Sequence, residues 1–296
     1  MFRSTNPAGA GALAILLSAL AVLPHGAIAQ QTPRSASGSV DCVMCDLRYK
    51  SYANGDMAGS VFKGAYLFNV NFARADLSRA DFESATLVFA TMSRSDLTDA
   101  NLSKANLTRA TLDGATLRNV NATFGDLTEA QLEAAELTFG DFTAANLQAA
   151  RMARAFADRT RFRSADLSGA ALPEADLSRS DMEGSNLSGA DLSNANLTMT
   201  NLVNANLRGA DLTGANLSYT NLQGADLAGA RLAKATIYGA NLKESNFANA
   251  DLTGASLSSV IRDRANFCGA TMPDGAKGDC ANKRAEPRAT PQPQPN

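Results

Sequence analysis

The sequence contains no tryptophan among its 296 residues and a single histidine, His25. Without further histidines, neither Ser-His-Asp nor Cys-His catalysis can be assembled, and zinc sites built on histidine are excluded. Aromatic residues make up only 6% of the chain, and no glycine-rich phosphate-binding loop is present. These absences argue against an enzyme, and we expect no catalytic, cofactor-binding or metal-binding residues.

An excess of charge of either sign is also missing. The chain has 27 Lys and Arg residues against 29 Asp and Glu residues, for a net charge of −2. Proteins that bind nucleic acid usually carry a basic surface, so the sequence predicts no nucleic-acid partner.

The only long apolar run lies near the N-terminus, at residues 10–23. It is too short for a membrane span of about twenty residues. Arg3 precedes the run and the small residues Ala27-Ile28-Ala29 follow it, which is the arrangement of a secretory signal peptide. We therefore expect a signal peptide at residues 1–29 and an exported protein, periplasmic or secreted, without a membrane anchor after cleavage.

The chain does contain a five-residue repeat that keeps its register over more than two hundred residues. Its 43 centres run from Phe62 to Met272, and 28 of them are Leu. Two residues before the centre stands a small residue, which is Ala in 30 of the 43 repeats. The residue between them is usually Asn or Asp, as in Ala205-Asn206-Leu207-Arg208-Gly209. A short repeat of this regularity indicates a solenoid.

A period of five excludes the ordinary elements. Residues five apart lie about 140° apart around an α-helix, and they point to opposite faces of a flat strand. The pattern can be buried if the chain is extended for two or three residues and then turns a corner. The small residue and the centre then both point inward, and two corner residues follow.

The spacing of the central phenylalanines predicts four sides. Three pairs lie twenty residues apart, and no two central phenylalanines lie fifteen or twenty-five apart. The pairs are Phe62 with Phe82, Phe142 with Phe162, and Phe247 with Phe267. Four repeats per coil give about eleven coils, and a rod on the order of 50 Å long at the spacing of hydrogen-bonded strands.

The repeated Ala-Asp/Asn-Leu motif strongly resembles the pentapeptide-repeat family over about three quarters of the chain. The resemblance implies an all-β fold, a right-handed quadrilateral parallel β-helix, with ladders of Asn and Asp side chains between coils. The small or polar centres Ala122, Ala157 and Arg262 depart from the motif. We expect local irregularity at these three coils, including a bulged loop at Thr123-Phe124.

The composition divides the chain into segments. After the signal peptide we expect a flexible lead at 30–41, an N-terminal cap at 42–59, the β-helix at 60–274 and a C-terminal cap at 275–280. The remaining residues, 281–296, contain four of the nine prolines and predict a disordered or polyproline-like tail.

All four cysteines lie near the ends of the repeat. The stretch from Phe267 to Cys280 resembles the C-terminal cap of some exported members of the family. In an exported chain, cysteine pairs at both ends indicate the disulfides Cys42–Cys45 and Cys268–Cys280. Such links would stop the end coils from fraying and polymerising. The Cys-x-x-Cys spacing also leaves open a redox-active pair at Cys42 and Cys45.

Two surface features follow from the register. Apolar residues at outward positions are candidates for a partner surface; they are Phe139, Met199, Tyr219, Phe89 and Phe124. Arginines concentrate at positions 151–163, where we expect ladders of ion pairs, with Arg161 between Asp141 and Asp181 and Arg163 beside Glu183.

The sequence favours a non-enzymatic, exported structural or protein-interaction scaffold with an unknown protein partner. A DNA-mimicking modulator of a DNA topoisomerase such as gyrase, an activity of some family members, is one alternative. A thiol-active envelope protein that uses Cys42 and Cys45 is another. A homodimer, formed through an uncovered end coil or the outward aromatic residues, also stays open.

Overall fold

The structure, a computed structural model, describes residues 39–280, and within them no α-helix and no strand longer than one bridging residue occurs. Every fifth residue forms a parallel β-bridge with the residue twenty positions further on, from Asp41–Val61 to Asp251–Thr271. The chain winds as a right-handed, four-sided parallel β-helix of between eleven and twelve coils, which confirms the predicted fold class. No helix of the described residues is long and apolar enough to cross a membrane.

The sequence motif satisfies all five backbone N–H groups of a repeat. In the repeat around Leu207, the N–H groups of Leu207 and Gly209 donate to the following coil, and that of Asp211 donates to the preceding coil. The N–H of Ala210 closes the corner on the carbonyl of Leu207 at 3.1 Å.

The fifth N–H group explains why the motif needs Asn or Asp before the centre. The N–H of Arg208 donates to the side-chain oxygen of Asn206 at 3.2 Å, two residues earlier. Short polar side chains commonly bond to the backbone two residues on, and this one leaves no N–H group of the repeat without a partner.

The same side chains form the expected ladders between coils. In one ladder, Nδ2 of Asn186 donates to Asp166 at 3.0 Å and Nδ2 of Asn206 donates to Asn186 at 2.9 Å. The ladder begins at an aspartate because a carboxylate accepts hydrogen bonds but has none to donate.

The core is a stack of inward side chains, and no central leucine from Leu67 to Leu252 is exposed to solvent. Paired phenylalanines stack on adjacent coils as the twenty-residue spacing predicts. The ring centroids of Phe62 and Phe82 are 4.9 Å apart, and those of Phe142 and Phe162 are 5.3 Å apart.

From Met44 to Gly269, the second corner residue of each repeat adopts a positive φ. Side chains as different as Arg109, Phe139 and Glu244 have φ between 56° and 62° at this position. This conformation disfavours residues other than glycine, yet the backbone bonds to both neighbouring coils enforce it. The corners can therefore carry almost any side chain on the outside of the rod.

The two ends of the described rod differ. The segment expected as an N-terminal cap, 42–59, is itself a coil with the same β-bridges as the rest. At the C-terminal end the chain folds back after Thr271, which forms an antiparallel bridge with Lys277. The predicted signal peptide, most of the predicted lead and the predicted Pro-rich tail lie outside the described residues.

The predicted irregularity was wrong at Ala122 and Ala157. The N–H groups of Ala122 and Phe124 donate to the next coil at 2.7 and 3.1 Å, so no bulge forms there. The N–H of Ala157 makes the same bond at 2.7 Å. Backbone bonds between coils do not depend on the size of the central side chain, which explains the uniform geometry at these two centres. The repeat of Arg262 does depart from the pattern, because its central side chain is exposed to solvent, although its corner is closed by a 3.0 Å bond.

Candidate interaction surface

One corner of the rod carries large exposed side chains on five consecutive coils. We call this row the corner stripe. The side chains of Phe139, Met199 and Tyr219 are 42%, 58% and 53% exposed. Two exposed arginines, Arg159 and Arg179, occupy the coils between Phe139 and Met199. At the spacing of parallel strands the stripe is about 19 Å long.

Neighbouring contacts hold the stripe in place. The guanidinium of Arg159 lies over the ring of Phe139, 5.5 Å from its centroid. Nε of Arg179 donates to Asp158 at 2.6 Å, and Oγ of Ser178 donates to the same carboxylate oxygen at 3.1 Å. The arginines are therefore oriented rather than freely solvated.

Tyr219 is the last residue of the corner stripe, and Tyr238 lies beside it. The rings of Tyr219 and Tyr238 meet edge to face at 5.4 Å. Gly239 lies below Tyr219, and a Cβ atom at this glycine would come within 2.8 Å of the Tyr219 ring. The missing side chain makes room for the ring.

Hydroxyl groups reinforce this corner from inside. The inward small residue that follows each stripe residue departs from the usual alanine in all five coils; these residues are Gly140, Thr160, Ser180, Thr200 and Thr220. Oγ1 atoms of the three threonines donate to backbone carbonyls of the preceding coil at 2.8 Å. These bonds link adjacent coils directly behind the exposed side chains.

The structure brings together three of the five candidate partner residues. Phe139, Met199 and Tyr219 share the corner stripe, whereas Phe89 and Phe124 lie on two other corners. Sequence reasoning missed the contribution of Arg159 and Arg179. Their spacing of twenty from Phe139 and Met199 was the available signal.

The arginine cluster forms the expected ion-pair ladders. Arg161 pairs with Asp141 at 3.0 Å, and Arg163 pairs with Asp181 and Glu183 at 2.9 and 2.7 Å. The arginine side chain of each pair is about half exposed to solvent, so the contribution of the pair to stability is small. The predicted ladders are confirmed.

Carboxylates are distributed along the rod instead of converging. Among residues 39–280, no three or more of His, Cys, Asp and Glu are grouped so as to hold a metal ion. An open depression occurs on one corner of the described rod, and it is lined by Phe89, Arg109, Glu129, Gln131, Ala149 and Arg151.

Hydrogen bonds hold the pKa of several aspartates below the ordinary value of 3.8. Burial of Asp166 acts to raise its pKa, but bonds from Gln148, Ser168 and Asn186 outweigh that effect. The side chain and backbone of Arg48 lower the pKa of Asp46 to about 2. The pKa is also lowered at further aspartates: Asp141, Asp211, Asp226 and Asp251.

We expect acid to destabilise the rod through these groups. A carboxyl whose pKa is lower in the folded state contributes its full stability above the unfolded pKa, here 3.8. That contribution is lost as the pH falls through the lowered folded pKa of each group, which is about 2 for Asp46. The thermal unfolding midpoint should therefore fall steeply below about pH 4. Asp166→Asn should show a weaker dependence, and a midpoint that stays constant down to pH 2 would contradict the prediction.

The four cysteines are paired within the described residues. Cys42 bonds to Cys45 across the first corner, with Cα atoms 5.3 Å apart. Cys268 bonds to Cys280 with Cα atoms 4.2 Å apart, which ties the end of the fold-back to the last coil. Cys42 and Cys45 both point inward and are buried.

The protein is a solenoid, and its candidate interaction surface lies on an exposed corner. It therefore belongs to the class of non-globular repeat scaffolds. The family model of pentapeptide repeats matches the chain in eight copies, and the matched ranges together cover residues 60–138 and 141–272. The chain belongs to the pentapeptide-repeat family.

Solved structures of the family are similar to this chain. HetL, a pentapeptide-repeat protein involved in heterocyst differentiation regulation in the cyanobacterium Nostoc sp. strain PCC 7120, is 31% identical. That match covers 82% of this chain and 95% of HetL, with a TM-score of 0.50. Rfr23 of the cyanobacterium Cyanothece 51142 is 37% identical over 31% of this chain and 58% of its own, with a TM-score of 0.23.

A third similar structure is trypsin-treated QnrB1, a plasmid-mediated fluoroquinolone resistance protein. It is 17% identical over 75% of this chain and 91% of its own, with a TM-score of 0.28. No curated protein matches the sequence.

Proposed function

We propose that this pentapeptide-repeat scaffold is an exported, non-enzymatic protein that binds a protein partner through the corner stripe. The observation that carries the proposal is the row of exposed side chains from Phe139 to Tyr219 on five consecutive coils. Aromatic residues, Met and Arg are the residue types enriched at protein interfaces. The central contacts of such interfaces are typically Tyr, Trp and Arg.

The convex shape of the corner determines the shape that the partner's binding surface must have. A corner of a square rod is convex, so the partner must present a groove that receives the rings of Phe139 and Tyr219. The hydroxyl bonds behind the stripe, such as that of Thr200 to the carbonyl of Leu177, limit the rearrangement needed for binding. A rigid surface binds with a smaller loss of conformational entropy.

A photo-crosslinking amino acid at Met199 tests the stripe in the native host. We expect a discrete adduct from position 199 and none from Gly189, which lies on a corner where glycine recurs every twenty residues. Substituting Tyr219→Ser in the same protein should weaken the partner's affinity about tenfold, because an interface tyrosine contributes roughly 1–2 kcal/mol or more.

The control for this experiment is Phe124→Ser, because Phe124 is 62% exposed on a different corner. That variant should keep the adduct. Equal adducts from positions 199 and 189, or loss of the adduct in the Phe124 variant, would refute the corner stripe as the interface.

Export is supported by the signal-like residues 1–29 and by the two cysteine pairs. Disulfides persist in oxidising compartments such as the periplasm. The buried position of Cys42 and Cys45 favours a structural role, because thiol exchange requires access to the sulfur atoms.

The intact mass of the protein from its host, with and without reduction and alkylation, tests export. We expect a mass that begins at Gln30 and four cysteines that are alkylated only after reduction. An intact N-terminus with four free thiols would refute export. It would favour the topoisomerase alternative, for which inhibition of supercoiling is the next measurement.

A further inference from the structure

The two disulfide bonds of the rod differ in their exposure to solvent. Cys42 and Cys45 are only 4% and 7% exposed. Cys268 is half-buried, and Cys280 is exposed at the end of the fold-back. Thiol exchange requires access to a sulfur atom, and exposed disulfides are the ones that usually react. The C-terminal disulfide is therefore the one that a reducing thiol can reach.

The backbone around the buried pair does not depend on its disulfide. The N–H of Cys42 donates to the carbonyl of Val61 at 2.8 Å, and the carbonyl of Cys45 accepts from the N–H of Tyr66 at 2.8 Å. The second coil therefore holds both cysteines in the first coil, with or without the bond between their sulfur atoms.

The C-terminal disulfide joins two parts that are held in different ways. Cys268 belongs to the last coil, where its carbonyl accepts from the N–H of Asn249 at 3.0 Å. Its own N–H donates to Oδ1 of Asn266 at 3.0 Å. Cys280 instead follows the fold-back, which reaches the rod through an antiparallel bridge. Opening the disulfide would leave Cys268 in place and free only Cys280.

The fold-back covers the end of the last coil. Gly278 approaches Phe267 so closely that a Cβ atom at this glycine would overlap the carbonyl oxygen of Phe267. The N–H of Gly278 donates to the carbonyl of Ala270 at 2.8 Å, and its carbonyl accepts from the N–H of Gly269 at 3.3 Å. Ala270 is completely buried, and Phe267 and Met272 are partly buried against the core. These contacts shield the apolar end of the rod.

The other contacts of the fold-back are local and open to solvent. Nζ of Lys277 donates to Oγ1 of Thr271 at 3.0 Å, and the N–H of Gly275 closes the turn on the carbonyl of Met272 at 2.9 Å. Residues 274–277 are all exposed. Segments with few buried apolar contacts and exposed backbone bonds open locally at little cost in free energy. The disulfide between residues twelve apart therefore supplies much of the constraint.

We propose that the Cys268–Cys280 disulfide is a redox latch, which a dithiol reductant opens while the Cys42–Cys45 disulfide stays closed. One thiolate of the dithiol attacks Sγ of Cys280, forms a mixed disulfide and releases Cys268 as a thiolate. The second thiol of the reductant then closes its own disulfide and releases Cys280. Two electrons pass from the dithiol to the protein, and the two protons that the dithiol loses leave both cysteines as thiols.

Opening the latch changes one end of the rod and leaves the coils intact. The N–H of Gly269 and the carbonyl of Ala270 lose their partner in the fold-back. They join an edge that already includes Ile261, which is 55% exposed and is bridged to one coil only among the described residues. Open edges of this kind pair readily with other chains. The latch therefore decides whether this end is sealed, and the corner stripe, which ends at Tyr219, does not depend on it.

Brief treatment of the oxidised full chain with dithiothreitol, without denaturant and followed by alkylation, tests the latch. Peptide mass spectrometry measures the alkylation of each cysteine. We expect Cys268 and Cys280 to be alkylated about tenfold faster or more than Cys42 and Cys45, because their disulfide is the accessible one.

Hydrogen exchange of the same samples measures the opening of the fold-back. The N–H groups of Gly269, Met272 and Gly278 should exchange about tenfold faster or more after reduction, because the bonds that protect them open locally. Exchange over residues 42–59 should stay the same. Equal alkylation of the two cysteine pairs would refute the latch. Unchanged exchange of the fold-back after complete alkylation of its cysteine pair would refute it as well.

Two double variants give a check without reductant. Cys268→Ser with Cys280→Ser should show the fast exchange of the fold-back even under oxidising conditions. Cys42→Ser with Cys45→Ser is the matched control and should keep the slow exchange of the unaltered protein. The same exchange in both double variants would contradict the assignment of the latch to the C-terminal pair.

Discussion

Replacing Phe162 with alanine is expected to lower the free energy of unfolding by about 3–5 kcal/mol. The ring is completely buried and stacks on Phe142 at 5.3 Å with an angle of 23° between the rings. Removing the ring reduces the buried apolar surface and leaves a cavity. The cavity cannot collapse, because backbone hydrogen bonds fix this coil to the coils on both sides. Each coil of a solenoid contacts only its neighbours, so a weak coil in the middle also uncouples the two halves.

Denaturant unfolding followed by circular dichroism measures this loss. Phe267→Ala is a matched control, because Phe267 stacks on Phe247 at 5.0 Å in the same geometry but lies partly exposed on the last coil. We expect the control to cost less and to keep a single transition. Equal losses for the two variants would show that burial within the rod does not determine the cost.

The second large expected effect is the loss of stability when Gly140 is replaced by alanine, the commonest residue at its position in the motif. Gly140→Ala places alanine where 30 of the 43 repeats have it, yet we expect it to destabilise the protein. A Cβ atom at Gly140 would lie 2.9 Å from both the carbonyl oxygen of Leu137 and Cε2 of Phe142, and 3.2 Å from Cγ1 of Val120. The side chains of Phe142 and Val120 are buried and cannot move away freely, so overpacking should cost about 1–3 kcal/mol.

A double variant isolates the cause of this loss. Leucine at position 142 lacks the ring atom nearest to the added methyl group, so Gly140→Ala should cost less in a Phe142→Leu background. Gly125→Ala is the control in the unaltered protein, because its nearest side-chain atom, Cδ1 of Leu127, is 3.4 Å away. A Gly140→Ala variant as stable as the unaltered protein would refute the packing argument.

Much of the architecture could be predicted because the repeat is periodic. The twenty-residue spacing of Phe62 with Phe82 and of Phe142 with Phe162 indicates four sides before any contact is known. The inward direction of the centres follows from the same register. The bulge expected at Thr123-Phe124 was wrong, because that expectation considered side-chain volume and left out the bonds between the backbones of adjacent coils.

The interaction surface was less accessible to prediction. Phe139, Met199 and Tyr219 could be identified as outward residues, but their packing partners could not. The cation of Arg159 over the Phe139 ring and the space that Gly239 leaves for Tyr219 depend on side-chain directions at the corners. These directions are decided by neighbours twenty residues away, and the motif does not constrain them.

The sequence by itself determined a four-sided β-helix filled with leucine and alanine, because a period of five can be buried in no ordinary element. Only the tertiary structure decided what the polar and small residues do. Gly239 leaves the space that the ring of Tyr219 occupies on the adjacent coil, and Thr200 links two coils behind the corner stripe. Both roles depend on coils being stacked, since their partners are a side chain and a carbonyl brought near only by that stacking.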